Sequence, residues 1–212
     1  MTDNELPTLF PAEVRILGCL IEKKELTPDV YPLTLNAAQA AANQKTGRDP
    51  VMELEQGEVL RALKLLQEKR LVRQAFASRV ERYEHQMAQA FSLTQGQIAI
   101  LGLLMLRGPQ TAHELLARSE RMTRFGSVEQ VRSELDLLIG RRPPLVQLIE
   151  RGPGQREDRY AHLLAGPVTA PAAVERGRSA GPAERSLLEE RIEELERRVA
   201  ALEARLADGG GQ

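Results

Sequence analysis

Six cations carry what chemistry this sequence offers: Lys45, Arg48, Arg61, Lys64, Arg79 and Arg82. Lys45 and Arg48 stand in a polar stretch, Asn43 to Pro50, that also contains Gly47 and Asp49. Arg61 and Lys64 lie one helical turn apart. Arg79 and Arg82 flank a short segment between two apolar runs, beside Arg73. Guanidinium and ammonium groups so spaced suit phosphate oxygens, which take charge-assisted hydrogen bonds from both. A polar loop of this length is often functional, although its Asn and Asp side chains could equally cap neighbouring backbone. If the loop binds a ligand, reversing the charges of Lys45 and Arg48 should leave stability nearly unchanged, within about 0.5 kcal/mol.

Catalytic groupings do not emerge. His85, His113 and His162 fall on separate predicted elements, and none has a partner at zinc-site spacing. His85 and His162 fall in predicted strands, where a structural histidine is expected. Cys19 sits in an apolar helix with no His near it, which predicts a buried, inert thiol. No glycine-rich phosphate loop and no grouping of Ser, His and acid is present. The expectation is a protein that is not an enzyme, with no cofactor and no metal.

The elements that position the cations follow from periodicity. Pro11 to Glu25 predicts a helix with Val14, Leu17 and Ile21 at helical spacing and proline in its first turn. Leu33 to Asn43 and Glu55 to Arg70 predict a helix pair joined by the polar loop. On the second of these, Val59, Leu63 and Leu66 form the core stripe. Gly57, Arg61, Lys64 and Glu68 face the other way. Glu55 and Glu58 occupy its first turn, which suits the helix dipole but not a phosphate. Leu71 to Phe76 and Arg82 to Phe91 predict two strands around a hairpin tip. Helix, helix pair and hairpin together read as a winged helix, in which the second helix of the pair enters the DNA groove.

The pattern then repeats. Ile16-Leu17-Gly18-Cys19-Leu20 matches Ile100-Leu101-Gly102-Leu103-Leu104, and Val59, Leu63, Leu65 and Leu66 match Val131, Leu135, Leu137 and Leu138. The offset falls from 84 to 72 between these matches, so the first unit carries twelve extra residues, largely in its polar loop. In the second unit Thr94, Thr111 and Ser127 are expected helix caps. Glu114, three residues after Thr111, completes a capping box. Leu145 to Glu150 and Arg159 to Leu164 flank a turn-rich segment with Arg151 and Arg156. The second unit's third helix faces outward with Glu129, Ser133 and Asp136, of which the two acids repel phosphate. Its basic residues lie elsewhere, at Arg118, Arg121, Arg124, Arg151 and Arg156.

The predicted fold class is therefore α+β, mostly α, with two tandem winged-helix domains at 1–92 and 93–165. Residues 166–183 form an Ala/Gly/Pro-rich linker. Residues 184–208 form a coiled-coil-like helix, because Leu188, Ile192, Leu195, Val199, Leu202 and Leu206 alternate four and three apart. β-branched residues at a with leucine at d predict a parallel homodimer. The same series also fits a lone amphipathic helix docked on the body.

Tyr31-Pro32-Leu33-Thr34-Leu35-Asn36, followed by Asn43-Gln44-Lys45, Arg48 and Pro50, resembles the YceH-type family of uncharacterised bacterial proteins. The resemblance covers about Phe10 to Leu164. It implies two winged-helix domains and no particular activity or ligand.

Lys and Arg total 29 against 30 Asp and Glu, for a net charge of −1 across 212 residues. That balance argues against a large phosphate footprint. A single cysteine fits a reducing compartment. Met1 to Pro7 does not read as a signal peptide, and no apolar run reaches the roughly 20 residues that span a bilayer. These readings predict a cytoplasmic protein that does not enter a membrane. Its function is expected to be that of a DNA-associated or transcription-regulatory module bound to double-stranded DNA. The alternative is a scaffold whose winged helices dock a protein partner.

Overall fold

The structure is a computed structural model, and it describes residues 6–75, 80–152 and 154–168. Arg79, most of the expected linker and the whole Leu188–Leu206 series lie outside the described residues. The fold is α+β and mostly helical, with two small antiparallel sheets.

The first half runs α1 (Pro11–Leu26), β1 (Leu33–Thr34), α2 (Leu35–Ala42), α3 (Gln56–Glu68), β2 (Val72–Ala75) and β3 (Arg82–His85). A short α4 (Met87–Phe91) leads into the second half. There α5 (Gln95–Arg107), α6 (Ala112–Ser119), α7 (Val128–Ile139), β4 (Val146–Ile149) and β5 (Arg159–His162) repeat the order. The first sheet is ordered β1-β3-β2, with Leu33 opposite Tyr83 and Val72 opposite His85. In the second, Val146 faces His162 and Ile149 faces Arg159. Gln110 stands where β1 stands in the first half. It exchanges two backbone hydrogen bonds with Tyr160, of 3.0 and 2.8 Å.

Local chemistry explains the helix starts. Thr94 Oγ1 accepts from Gln97 N at 3.3 Å while Gln97 Oε1 accepts from Thr94 N at 3.2 Å. Thr111 and Glu114 make the same reciprocal pair, and Ser127 Oγ accepts from Gln130 N. Each pairing satisfies backbone donors that the first turn leaves without a helical partner.

One predicted strand is corrected. Arg82 to Phe91 does not continue as a return strand: pairing stops at His85, and Met87–Phe91 is helical. Met-Ala-Gln-Ala-Phe lacks the β-branched residues that favour a strand, and Met87 is fully buried as the chain turns toward α5.

The two halves share one hydrophobic core. α1 is buried from Glu13 to Ile21 and α5 from Gln97 to Leu106, so each is enclosed nearly all round, and in α1 that enclosure takes in the charged Glu13 and Arg15. They pack against each other at the two glycines of the repeated Ile-Leu-Gly sequence. A Cβ on Gly18 would lie 2.9 Å from Leu106 Cγ and 3.1 Å from Met105 Cβ. On Gly102 it would lie 2.7 Å from Ile21 Cγ2. The boundary at 92/93 therefore separates two sequence repeats but does not divide the core. Gly102→Val should cost about 1–3 kcal/mol by overpacking this crossing. Urea unfolding measures it, and an unchanged midpoint would show that α1 and α5 can part without loss.

Candidate nucleic-acid interface

The helix pair α2–α3 and its loop are held by a clasp of side-chain amides. Asn43 Nδ2 donates to Leu54 O at 2.9 Å, and Leu54 N donates to Asn43 Oδ1 at 2.8 Å. Gln39 Nε2 donates to the same carbonyl at 3.0 Å. Across the N-termini of the two helices, Gln56 Nε2 donates to Asn36 Oδ1 at 2.7 Å. The start of α3 is set by Glu58, whose carboxylate accepts from Glu55 N at 2.8 Å. The burial of Val59, Ala62, Leu63 and Leu66 leaves Gly57, Glu58, Arg61, Lys64 and Glu68 facing outward.

The predicted cations separate into distinct roles. Arg61 and Lys64 are exposed one turn apart on the free face of α3. Lys45 is also exposed, but its loop packs back on α1 and α5 instead of standing free. Asp49 N donates to Leu106 O at 2.9 Å, and Lys23 Nζ reaches Gln44 Oε1 at 3.4 Å. Arg82 is half-buried and donates to Pro32 O at 2.8 Å, so part of its guanidinium serves to fix β3 against the segment before β1.

Arg48 is a correction. Its side chain is fully enclosed and cannot meet phosphate. Nε donates to Ala41 O at 3.1 Å. Nη1 donates to Glu22 Oε1 and to Gly47 O, both at 3.0 Å. Nη2 donates to Glu22 Oε2 at 2.6 Å and to Gln44 Oε1 at 2.9 Å. Those five bonds use all five guanidinium donors. Burial by itself would lower the arginine's pKa, but the hydrogen bonds and charge of Glu22, with Cys19 close by, together raise it. Burial would likewise raise Glu22, and the hydrogen bonds and charges of Arg48 and Lys23 together carry it below the ordinary carboxylate range instead. The loop is thus built around a buried ion pair that ties it to α1.

On the second half, the free face of α7 carries Glu129, Ser133 and Asp136 as read from the sequence, together with exposed Arg132 and Leu137. Arg118 is engaged by Gln110 Oε1 at 2.6 Å, while Arg121, Arg124, Arg151 and Arg156 are exposed.

Sequence reasoning passed over another group of cations. Lys69, Arg70, Arg141 and Arg142, with Arg73, meet across the junction of the two halves. Arg141 and Arg142 follow α7 and Arg70 follows α3, so no spacing rule links them. The one local signal was a pair of adjacent arginines before Pro143-Pro144.

The cysteine and the histidines are shielded from solvent or paired. Cys19 is fully buried, and burial pushes its thiol up to about 11. His85 is buried and its Nδ1 accepts from Met87 N at 3.4 Å. Burial first, and Lys24 second, push it down to about 4; burial does the same to His162. His113 lies on the surface 2.6 Å from Glu157. Among the described residues, no three His, Cys, Asp or Glu side chains cluster as metal ligands.

Residues 9–155 match the family described as "Protein of unknown function, DUF480", and the chain belongs to that family. It is 73% identical over 208 residues to a UPF0502 protein of Mesorhizobium japonicum, covering 98% of this chain and 99% of the relative. A UPF0502 protein of Xanthomonas campestris is 52% identical over 202 residues, covering 95% and 89%. One of Stenotrophomonas maltophilia is 47% identical over 216 residues, covering 98% and 99%. Among the described residues, no helix is long and apolar enough to cross a membrane.

Proposed function

We propose that this is a non-enzymatic, cytoplasmic protein of two tandem winged helices that binds duplex DNA through the free face of α3. The YceH-type resemblance from Tyr31 to Pro50 agrees with the family membership and supplies the expectation of two winged helices. The observation that carries the reading is the exposed pair Arg61 and Lys64 on a helix whose N-terminus is clasped to α2, with an antiparallel sheet beside it. Such a pair contacts phosphate and gives affinity without base specificity. Lys45 and the outer part of Arg82 are secondary contacts, and Arg79, outside the described residues, belongs to the same proposed set. The acids on the free face of α7 favour DNA contact by the first half. The a/d series from Leu188 to Leu206 supports a homodimer, which would present two such faces.

A protein-docking scaffold is the second reading. It is favoured by the near-zero net charge and by Glu58 and Glu68 on the same face as Arg61.

A salt titration of the full chain with generic duplex DNA tests the choice. Affinity should fall linearly on a log–log scale, because neutralised phosphates release counterions. Arg61→Glu with Lys64→Glu should reduce the slope by about 2 and weaken binding about tenfold or more, with the melting temperature nearly unchanged. The same sample should sediment as two chains. Absence of binding at low salt would transfer the proposal to the scaffold reading.

A further inference from the structure

At the junction of the two halves lies an open groove of about 940 Å³. Five cations line it: Lys69, Arg70, Arg73, Arg141 and Arg142. None of the described lining residues is acidic. Two of the five are neutralised from outside the groove. Lys69 Nζ is 2.6 Å from the buried carboxylate of Glu13, and Arg73 is paired with Glu84 across the β2–β3 ladder. The other three have no carboxylate partner among the described residues. Arg141 donates only to the backbone carbonyl of Phe91, and Arg70 and Arg142 reach into solvent. The apolar part of the lining that is open to solvent comes from Ala90, Phe91 and Pro143, with Gln67, Gln86 and Gln89 offering amide groups.

The backbone singles out the same place. Arg70 and Ser92 are the two non-glycine residues with left-handed backbone among the described residues, at φ 58° and 49°, and both line this groove. Arg70 closes α3: its N–H donates to Gln67 O and that of Leu71 donates to Leu66 O, each at 2.9 Å. That closure ordinarily takes glycine, because a Cβ is strained there. An arginine held at a strained position, facing a cavity with two other unneutralised guanidiniums, points to a ligand.

We propose that this groove binds a nucleoside di- or triphosphate. Three planar guanidinium forks match a polyphosphate in charge and in bidentate geometry. The apolar part of the lining accommodates a flat base, and the glutamine amides can meet its edge. The volume lies in the range of small-molecule sites. Arg61 and Lys64 do not line the groove, so the proposal does not rest on the DNA reading.

Isothermal titration of the full chain with ATP, in EDTA at about 0.15 M salt so that surface charges are screened, tests it. One saturable site is expected. Arg70→Gly and Arg142→Gln should each weaken it about tenfold or more, the loss of one charge-assisted pair. Arg121→Gln, on the exposed surface away from the groove, should leave it unchanged. Arg70→Gly should also melt at or above the wild-type temperature, since glycine suits the left-handed backbone; Arg142→Gln, in an exposed loop, carries the test if Arg70→Gly does not fold. Inorganic triphosphate should bind more weakly than ATP. No saturable heat, equal affinity in all variants, or triphosphate binding as tightly as ATP would each overturn the proposal. So would loss of duplex binding in the two variants with ATP binding intact, which would assign the groove to nucleic acid.

Discussion

Arg48→Ala should lower stability by about 3–5 kcal/mol, the cost of removing one partner of a buried ion pair. The substitution leaves the Glu22 carboxylate, which is itself largely buried, with Lys23 Nζ at 3.3 Å as its remaining cation, and removes donors from the carbonyls of Ala41 and Gly47. It also frees the loop from α1. The expectation from sequence, that reversing charge at Lys45 and Arg48 changes binding and spares stability, therefore holds only for exposed Lys45. Urea midpoints of Arg48→Ala, Glu22→Gln and the double variant measure the pair. Their effects should be strongly non-additive, because both residues belong to one network. A loss below about 1 kcal/mol for Arg48→Ala would mean that the loop does not depend on the pair.

Acidification should begin to destabilise the protein before its carboxylates titrate. His85 and His162 are both pushed from the ordinary 6.5 to about 4 by burial. Between those values the unfolded chain binds protons that the folded chain refuses, so stability rises with pH across this window. The contribution is complete above about pH 6.5 and is lost as pH falls toward 4. Each histidine contributes about 3 kcal/mol at neutral pH on this account. Glu22 has the other pattern. Its lowered pKa adds stability that is present above about pH 4.3 and disappears in stronger acid. The measurement is the urea midpoint from pH 7.5 to 4.5, for wild type and for His85→Phe, which should flatten the profile by about half. A wild-type midpoint constant over that range would refute the assignment of two neutral imidazoles.

What the sequence determined by itself was local. A cap and its partner lie three residues apart, so the caps Thr94, Thr111 and Ser127, and Glu114 as the partner of Thr111, were legible in the sequence, and the structure adds Gln97 and Gln130 as the other two partners. The core stripe of α3 repeats within its own 13 residues, so its outward face with Arg61 and Lys64 was legible too. The repeat fixed the order of elements twice over. Tertiary structure decided whatever joins residues far apart. Arg48 looked like a surface cation because nothing near it in sequence announces Glu22, 26 residues away. Met87–Phe91 looked like the rest of a strand, but it forms a separate short helix that a left-handed Ser92 ends before Thr94 caps α5. Gly18 and Gly102 were read as matching positions of a repeat, yet it is the close packing of α1 on α5 that requires them to lack a side chain. The cationic groove exists only because Arg70 and Arg142 are brought to the same rim by that shared core. Periodicity and capping are set by forces acting over a few residues, whereas burial of a charge depends on which segments the core brings together.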